Sequence, residues 1–187
     1  MGRNDAVMSR EKTGAEKKQG AAGRSHSGPQ GVAAELRHLI VDGAYKAGAR
    51  ITERAVAEKF GCTAAATREA FHLLEKQGAI VVSARRGARV IDEEQAPQAE
   101  IFLVWDRLRW LLGEELRRHG ATVNGDALKA AAGESRSQRL SAVEASLVRL
   151  GGVSHNRRLA EAMARVALHV MIVAPGRFDE IEASLAR

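Results

Sequence analysis

The sequence predicts a mainly α protein of two parts, an N-terminal unit of helices closed by one β-hairpin and a C-terminal all-α helical bundle. Three observations predict it. Residues 52–78, TERAVAEKFGCTAAATREAFHLLEKQG, read as a short helix, a tight Gly-Cys-Thr turn and a longer helix, the grammar of a helix-turn-helix. Residues 79–92, AIVVSARRGARVID, set two β-rich runs around a turn that contains Arg85, Arg86 and Gly87. Beyond residue 98, apolar residues recur at helical spacing in three long segments.

Residues 1–30 are rich in Gly, Ser, Lys and Arg, with few large apolar side chains to offset the entropy of ordering. They read as a disordered basic arm, either one that tracks DNA or a solvated leader. In VAAELRHLIVDGAY, Val32, Leu36, Leu39 and Ile40 share one helical face and Gly43 is the stop, which makes a supporting helix. A loop through Lys46, Gly48 and Arg50 leads to Thr52, the N-cap of a helix with Val56 and Phe60 on its apolar side and Gly61 at its end.

Thr63 caps the next helix, whose Ala66, Ala70, Phe71 and Leu74 are expected to bury one side while Ala64, Arg68 and His72 lie on the other. A helix that shows small residues and one arginine on its free face suits a major groove. Helix, helix-turn-helix and hairpin in this order make a winged helix over residues 31–92. Its basic wing can reach phosphates or the minor groove, and Gly87 at the tip allows close backbone approach to DNA. Cys62 in the turn reads as a small buried hydrophobe, since only nearby arginines could lower its pKa enough for a redox switch.

DEEQAPQ, with residues 93–98 as its body, reads as an acidic linker in which Pro97 opens the next helix, so the second domain spans residues 99–187. Ile101, Trp105, Leu108 and Leu112 form a stripe with Phe102, Val104 and Leu111 beside it, a face too broad for a lone helix. Gly120 ends that helix, and a short helix is expected around Ala127–Ala132. Leu140, Val143, Leu147 and Leu150 then mark a helix stopped by Gly151 and Gly152. Leu159, Met163, Val166, Val170 and Val173 mark another from about Asn156, before a Pro175-Gly176 stop and a short terminal helix.

The formal charge of +6 is uneven. Residues 1–30 carry six Lys+Arg against three Asp+Glu, residues 31–92 ten against seven, and residues 93–187 thirteen against thirteen. The excess positive charge therefore lies in the first half, where Lys and Arg can neutralise phosphates. One cysteine excludes an intrachain disulfide and fits a reducing compartment, and the longest apolar run, Val166–Gly176, spans 11 residues. A membrane span needs about 20, so a cytoplasmic protein without a membrane partner is expected. With no phosphate-binding glycine loop, spaced metal cluster or nucleophile beside a base, no enzyme is expected.

LRHLIVDG, AGARITE, VAEKFGCTAAATREAF, LLEKQGAI and ARRGARV together resemble, in one register over about sixty residues, the N-terminal domain of GntR-family transcription regulators. The resemblance implies DNA contacts by Arg68 and by Gly87 with its neighbours, then by Arg50 and Thr63. Where the family has an arginine and a proline, this chain has Ala64 and Ala66. The alanines either touch thymine methyls or only preserve the helix. Arg68 either makes a bidentate base contact contributing about 1 to 3 kcal/mol of discrimination or binds phosphate, and Glu69 is a further candidate for an ion pair with another helix.

VEASLVRLGGVSHNRRL, through Ser154, Asn156 and Leu159, resembles the helical effector and dimerisation (FCD) domain of the FadR-like branch, in shortened form. In that branch an aspartate and three histidines hold a metal. Two of those positions fall near Val143 and Leu147 here and only His169 remains, so neither a metal nor a required cofactor is expected.

The expected function is sequence-specific transcription regulation, as a repressor, by a homodimer on double-stranded DNA with a pseudo-palindromic operator, open to a small-molecule effector. The candidate DNA-binding residues are Arg50, Thr63, Ala64, Ala65, Thr67, Arg68, His72, Arg85, Arg86 and Gly87. Arg107 and His169 are the effector candidates, and Trp105 and Trp110 imply the dimer. The alternative is a helical adaptor whose winged helix no longer reads bases, motivated by the run Ala64, Ala65, Ala66.

Overall fold

The computed structural model describes residues 28–83, 86–121 and 135–185. The arm over residues 1–27, the tip residues Ala84 and Arg85, and the helix expected around residues 127–132 lie outside the described residues.

Helix α1 (Pro29–Val41) buries Val32, Leu36, Ile40 and Val41. It begins inside the stretch read as an arm, because proline's fixed φ and missing N–H suit the first helical turn. A two-residue strand β1 (Arg50–Ile51), read from the sequence as loop, precedes α2 (Glu53–Phe60) and α3 (Ala64–Gln77). The expected caps are in place. Thr52 accepts from Ala55 N at 3.3 Å and Thr63 from Ala66 N at 3.1 Å, while Gly61 and Gly78 end the two helices in the left-handed region.

Strands β2 (Ile80–Ser83) and β3 (Gly87–Val90) form the hairpin. β1 adds to its open side, giving an antiparallel sheet in the order β1-β3-β2 with Arg50 opposite Arg89 and Ile51 opposite Ala88. Val90 and Ala88 face the core and Arg89 faces solvent, the period of two expected of a sheet with one buried side. The helices, the three-stranded wing and the bundle that follows make up the mainly α architecture.

The second part contains α4 (Gln98–Arg118), α5 (Arg136–Val153), α6 (Arg157–Val173), a 3-10 turn (Pro175–Arg177) and α7 (Phe178–Leu185). Ile101, Trp105, Leu112 and Leu116 are the buried side of α4, with Trp105 Nε1 donating to Ser184 Oγ on α7 at 2.9 Å. Val104 and Leu111, expected beside the buried stripe, are exposed. Arg139 holds α7 to α5 through Glu182, at 2.6 Å, and Asp179, and the Arg177 guanidinium stacks 3.7 Å from the Phe102 ring centre. The partners of Arg139 raise its pKa further above the usual guanidinium range. No helix among the described residues is long and apolar enough to cross a membrane.

Gly151 and Gly152 do not stop α5, which runs through both to Val153. Glycine costs about 1 kcal/mol inside a helix, so its presence there calls for a packing reason. Gly151 has one: it is buried, and a Cβ on it would meet the Ala160 Cβ of α6 at 2.6 Å. Gly152 has open space around it. Gly151→Val is therefore expected to destabilise the protein by about 1 to 3 kcal/mol through overpacking. Gly152→Ala should be neutral or slightly stabilising. Urea denaturation of both variants reads the difference, and equal midpoints would show that α5 and α6 do not approach through Gly151.

Candidate nucleic-acid interface

Helix α3 is the centre of the exposed basic surface. Its N-terminal turn points free N–H groups and a positive dipole end outward, beside exposed Thr63, Ala64 and Ala65. Farther along, Arg68, Glu69, His72 and Lys76 line a shallow groove with Ala65 and Leu73. Small residues thus come first along the exposed face, and Arg68 and Lys76, with Glu69 and His72 between them, come after.

Arg68 is 62% exposed and donates from Nε to Glu53 Oε2 on α2 at 3.0 Å. Such an exposed pair contributes less than about 1 kcal/mol, so a phosphate or base edge can replace Glu53. The ion pair between helices thus belongs to Arg68, while Glu69 is exposed on the groove. His72 is exposed, with Nδ1 3.7 Å from Glu75 Oε2.

Thr67 is a correction. It was expected to face DNA, yet it is fully buried, its hydroxyl donating to Thr63 O at 3.1 Å and lying 3.2 Å from the half-buried Cys62 Sγ. The helix is rotated so that Thr67, with Ala70, Phe71 and Leu74, forms the buried side and Ala66 is only half buried. Thr67 therefore fixes the turn that presents Ala64 and Ala65 and does not itself reach a ligand.

The wing supplies the second group of cations. Arg50 and Arg89 stand directly opposite each other on β1 and β3, both exposed. Like charges in that position destabilise a sheet. Backbone carbonyls hold both in place, Arg50 Nε donating to Arg86 O at 3.0 Å and Arg89 Nε to Gly48 O at 3.0 Å. Exposed Arg86 adds a third charge at the tip, and Arg85 lies outside the described residues.

Gly87 sits at φ +80°, and a Cβ there would meet the Ile51 carbonyl oxygen at 2.4 Å. Its close approach is thus to the protein's own strand β1, which the sequence did not reveal as a strand. The wing is also tied to α3, since Glu75 Oε1 accepts from Val82 N at 2.8 Å.

Arg89, Glu53 and Glu75 escaped the sequence reading. Arg89 was recoverable from the alternation in GARV, where buried Ala88 and Val90 flank it. Glu53 and Glu75 act through partners 15 and 7 residues away, and only the fold brings those pairs together.

The two effector candidates do not meet in one site. Arg107 is exposed on α4, whereas half-buried His169 on α6 lies against the end of α3. A Cβ on Gly78 would meet His169 Nε2 at 2.7 Å and Arg165 Nε at 2.8 Å. Val143 and Leu147, at the two metal-ligand positions implied by the resemblance, are fully buried among apolar side chains.

Burial and then the Arg165 charge push the His169 pKa below its usual 6.5, with the Gly78 backbone opposing, and its Nε2 has no well-formed hydrogen bond. An imidazole with a lowered folded-state pKa favours the native state while neutral. That contribution is complete above about pH 6.5 and is lost as pH falls toward the folded-state value. Melting temperatures between roughly pH 5 and 8 should drop on the acid side, and His169→Gln should reduce that drop. An unchanged profile in the variant would show that His169 does not contribute to it.

A capped helix with exposed Arg68, His72 and Lys76, packed beside a three-stranded wing bearing Arg50, Arg86 and Arg89, defines a winged helix-turn-helix with an exposed basic surface. Residues 29–90, about a third of the chain, match the family model described as bacterial regulatory proteins, gntR family, and this segment is similar to the helix-turn-helix domain of that family. Members of that family are DNA-binding regulators and not enzymes.

A curated relative, the uncharacterized HTH-type transcriptional regulator YdhC of Bacillus subtilis (strain 168), is 33% identical over 70 residues. That alignment covers 37% of this chain and 31% of the relative, about a third of its length. A crystal structure of a candidate GntR transcriptional regulator from Rhodococcus sp. RHA1 is similar at a TM-score of 0.52 and 24% identity, over 84% of this chain and 86% of that one, which extends the likeness in fold to both parts. E. coli McbR/YncC matches more loosely, with a TM-score of 0.41 and 19% identity over 85% of this chain and 70% of that one.

Proposed function

We propose that the chain is a sequence-specific DNA-binding transcription regulator of the FadR-like branch, a cytoplasmic repressor that acts as a homodimer on a pseudo-palindromic operator. The observation that carries this reading is the opposed pair of exposed arginines, Arg50 and Arg89, on the wing sheet that Glu75 ties to α3. Two cations facing each other across a strand pair cost stability in the free protein and gain it back against phosphates. The helix would lie in the major groove, with Arg68 and His72 toward base edges or phosphates and the wing on the adjoining backbone.

Selection from random DNA followed by gel shift tests the reading. A palindrome with half-sites about one turn apart, near 34 Å, is expected. Binding that is salt-sensitive yet blind to sequence would instead favour an adaptor whose alanines, Ala64 to Ala66, have given up base reading.

The outward face of α4 supports the dimer. Trp110 is 62% exposed and Leu103 58%, with Val104 and Leu111 alongside. Exposed apolar patches of this kind mark interaction surfaces, and tryptophan is prominent among residues that dominate them. Sedimentation at several concentrations should show a dimer, and Trp110→Glu should weaken it by at least about thirtyfold, the equivalent of about 2 kcal/mol at such a position. A monomer at all concentrations in the unmodified protein would contradict the homodimer.

A further inference from the structure

Between the winged helix and the bundle lies an open cleft of about 840 Å³, walled by α1 and α3 on one side and α5 and α6 on the other. Its size falls within the range of small-molecule sites. Ala33, Ala34, Leu73, Ala164 and Leu168 make part of its lining apolar.

The charges around it do not cancel. Arg37 pairs with Glu144 and Arg158 with Glu161, which uses both carboxylates of the lining. His38 of α1, Lys76 of α3 and Arg165 of α6 line the same cleft and make no ion pair among the described residues. Three cation-capable groups from three helices, two in the DNA-binding domain and one in the bundle, thus converge on a space with an apolar lining.

We propose that this cleft binds a small organic anion carrying two or more carboxylate or phosphate charges, with Lys76 and Arg165 as its principal partners and His38 at its edge. Its carbon skeleton lies on the alanine and leucine lining, and its oxyanions bridge the two domains. A bridging anion offsets the mutual repulsion of Lys76 and Arg165 and draws α6 toward the end of α3. Arg165 already lies over Gly78, the residue that ends α3, and Lys76 is one turn beyond His72 on the groove-facing side. Ligand binding and DNA binding are then coupled reciprocally, because one helix carries both sets of contacts. The coupling rests on the regulator reading, whereas the binding site does not.

Titration calorimetry of the full chain without DNA tests the site, using citrate as the carboxylate probe and inorganic pyrophosphate as the phosphate probe at constant ionic strength. At least one should bind saturably with one site per chain, and which of the two binds tells the carboxylate source from the phosphate source. Lys76→Ala with Arg165→Ala should weaken that binding at least tenfold, and Arg117→Ala, on the exposed end of α4, should leave it unchanged. Thermal melts check that the variants fold, and the milder Lys76→Gln with Arg165→Gln serves if they do not. No saturable binding of either probe at millimolar concentration overturns the site, as does binding that survives loss of both cations.

Gel shifts on the selected DNA with and without the bound probe then test the coupling. A changed affinity supports it. An unchanged affinity with the probe bound removes the coupling and leaves the site. Absence of any selected DNA counts against the regulator reading alone.

Discussion

The backbone at Gly78 is the constraint on which the other parts depend. It is buried at φ +82°, and its N–H closes α3 on the Glu75 carbonyl at 2.9 Å. The next residues turn directly into the wing, with Ala79 N bonded to Leu74 O and Ile91 N to Ala79 O. Against the same glycine lie Arg165 and His169 of the bundle. A side chain here would carry the strain of the left-handed region and would displace the ends of the Arg165 and His169 side chains that pack on this backbone. Positive charge from Arg165 at the negative end of the α3 dipole favours the arrangement.

From that junction the two cationic groups follow. α3 points Arg68, His72 and Lys76 along one groove, and the wing, fastened by Glu75 to Val82 and by Gly87 to Ile51, carries exposed Arg50, Arg86 and Arg89. Arg68 is held by a weak exposed pair and Arg50 and Arg89 by neutral carbonyls, so none of these three charges is cancelled deep in the protein. Charges kept available in this way suit a ligand that arrives with its own. With Ala64 and Ala65 at the start of α3, the helix offers shape and methyl contacts there, and most hydrogen-bonding capacity comes later along it and from the wing.

The sequence disclosed whatever local chemistry decides. Thr52, Gly61, Thr63 and Gly78 cap their helices as their side chains or lack of them require, and the hairpin follows from two β-rich runs about a basic turn. It disclosed less where one residue type serves two ends. Gly151 and Gly152 read as a stop, yet the first allows two helices to touch and the second lies free within α5. Thr67 was a candidate contact, yet it stands three and four residues before Ala70 and Phe71 and shares their buried side, against Cys62. β1 is too short to show a period. Most of the candidate interface was thus legible in outline. The cleft between the domains was not, since His38, Lys76 and Arg165 converge only through packing between helices far apart in the chain.

On the function proposed above, the wing arginines and α3 face one run of phosphates. The salt dependence of DNA affinity in Arg50→Ala with Arg89→Ala, against the unmodified protein on the same selected duplex, tests it most directly. Each lost phosphate contact lowers the slope of log affinity against log salt by about one, so the double variant should be shallower by about two with its sequence preference kept. An unchanged slope would show that the opposed arginines meet no phosphate and that the wing is not part of the DNA interface.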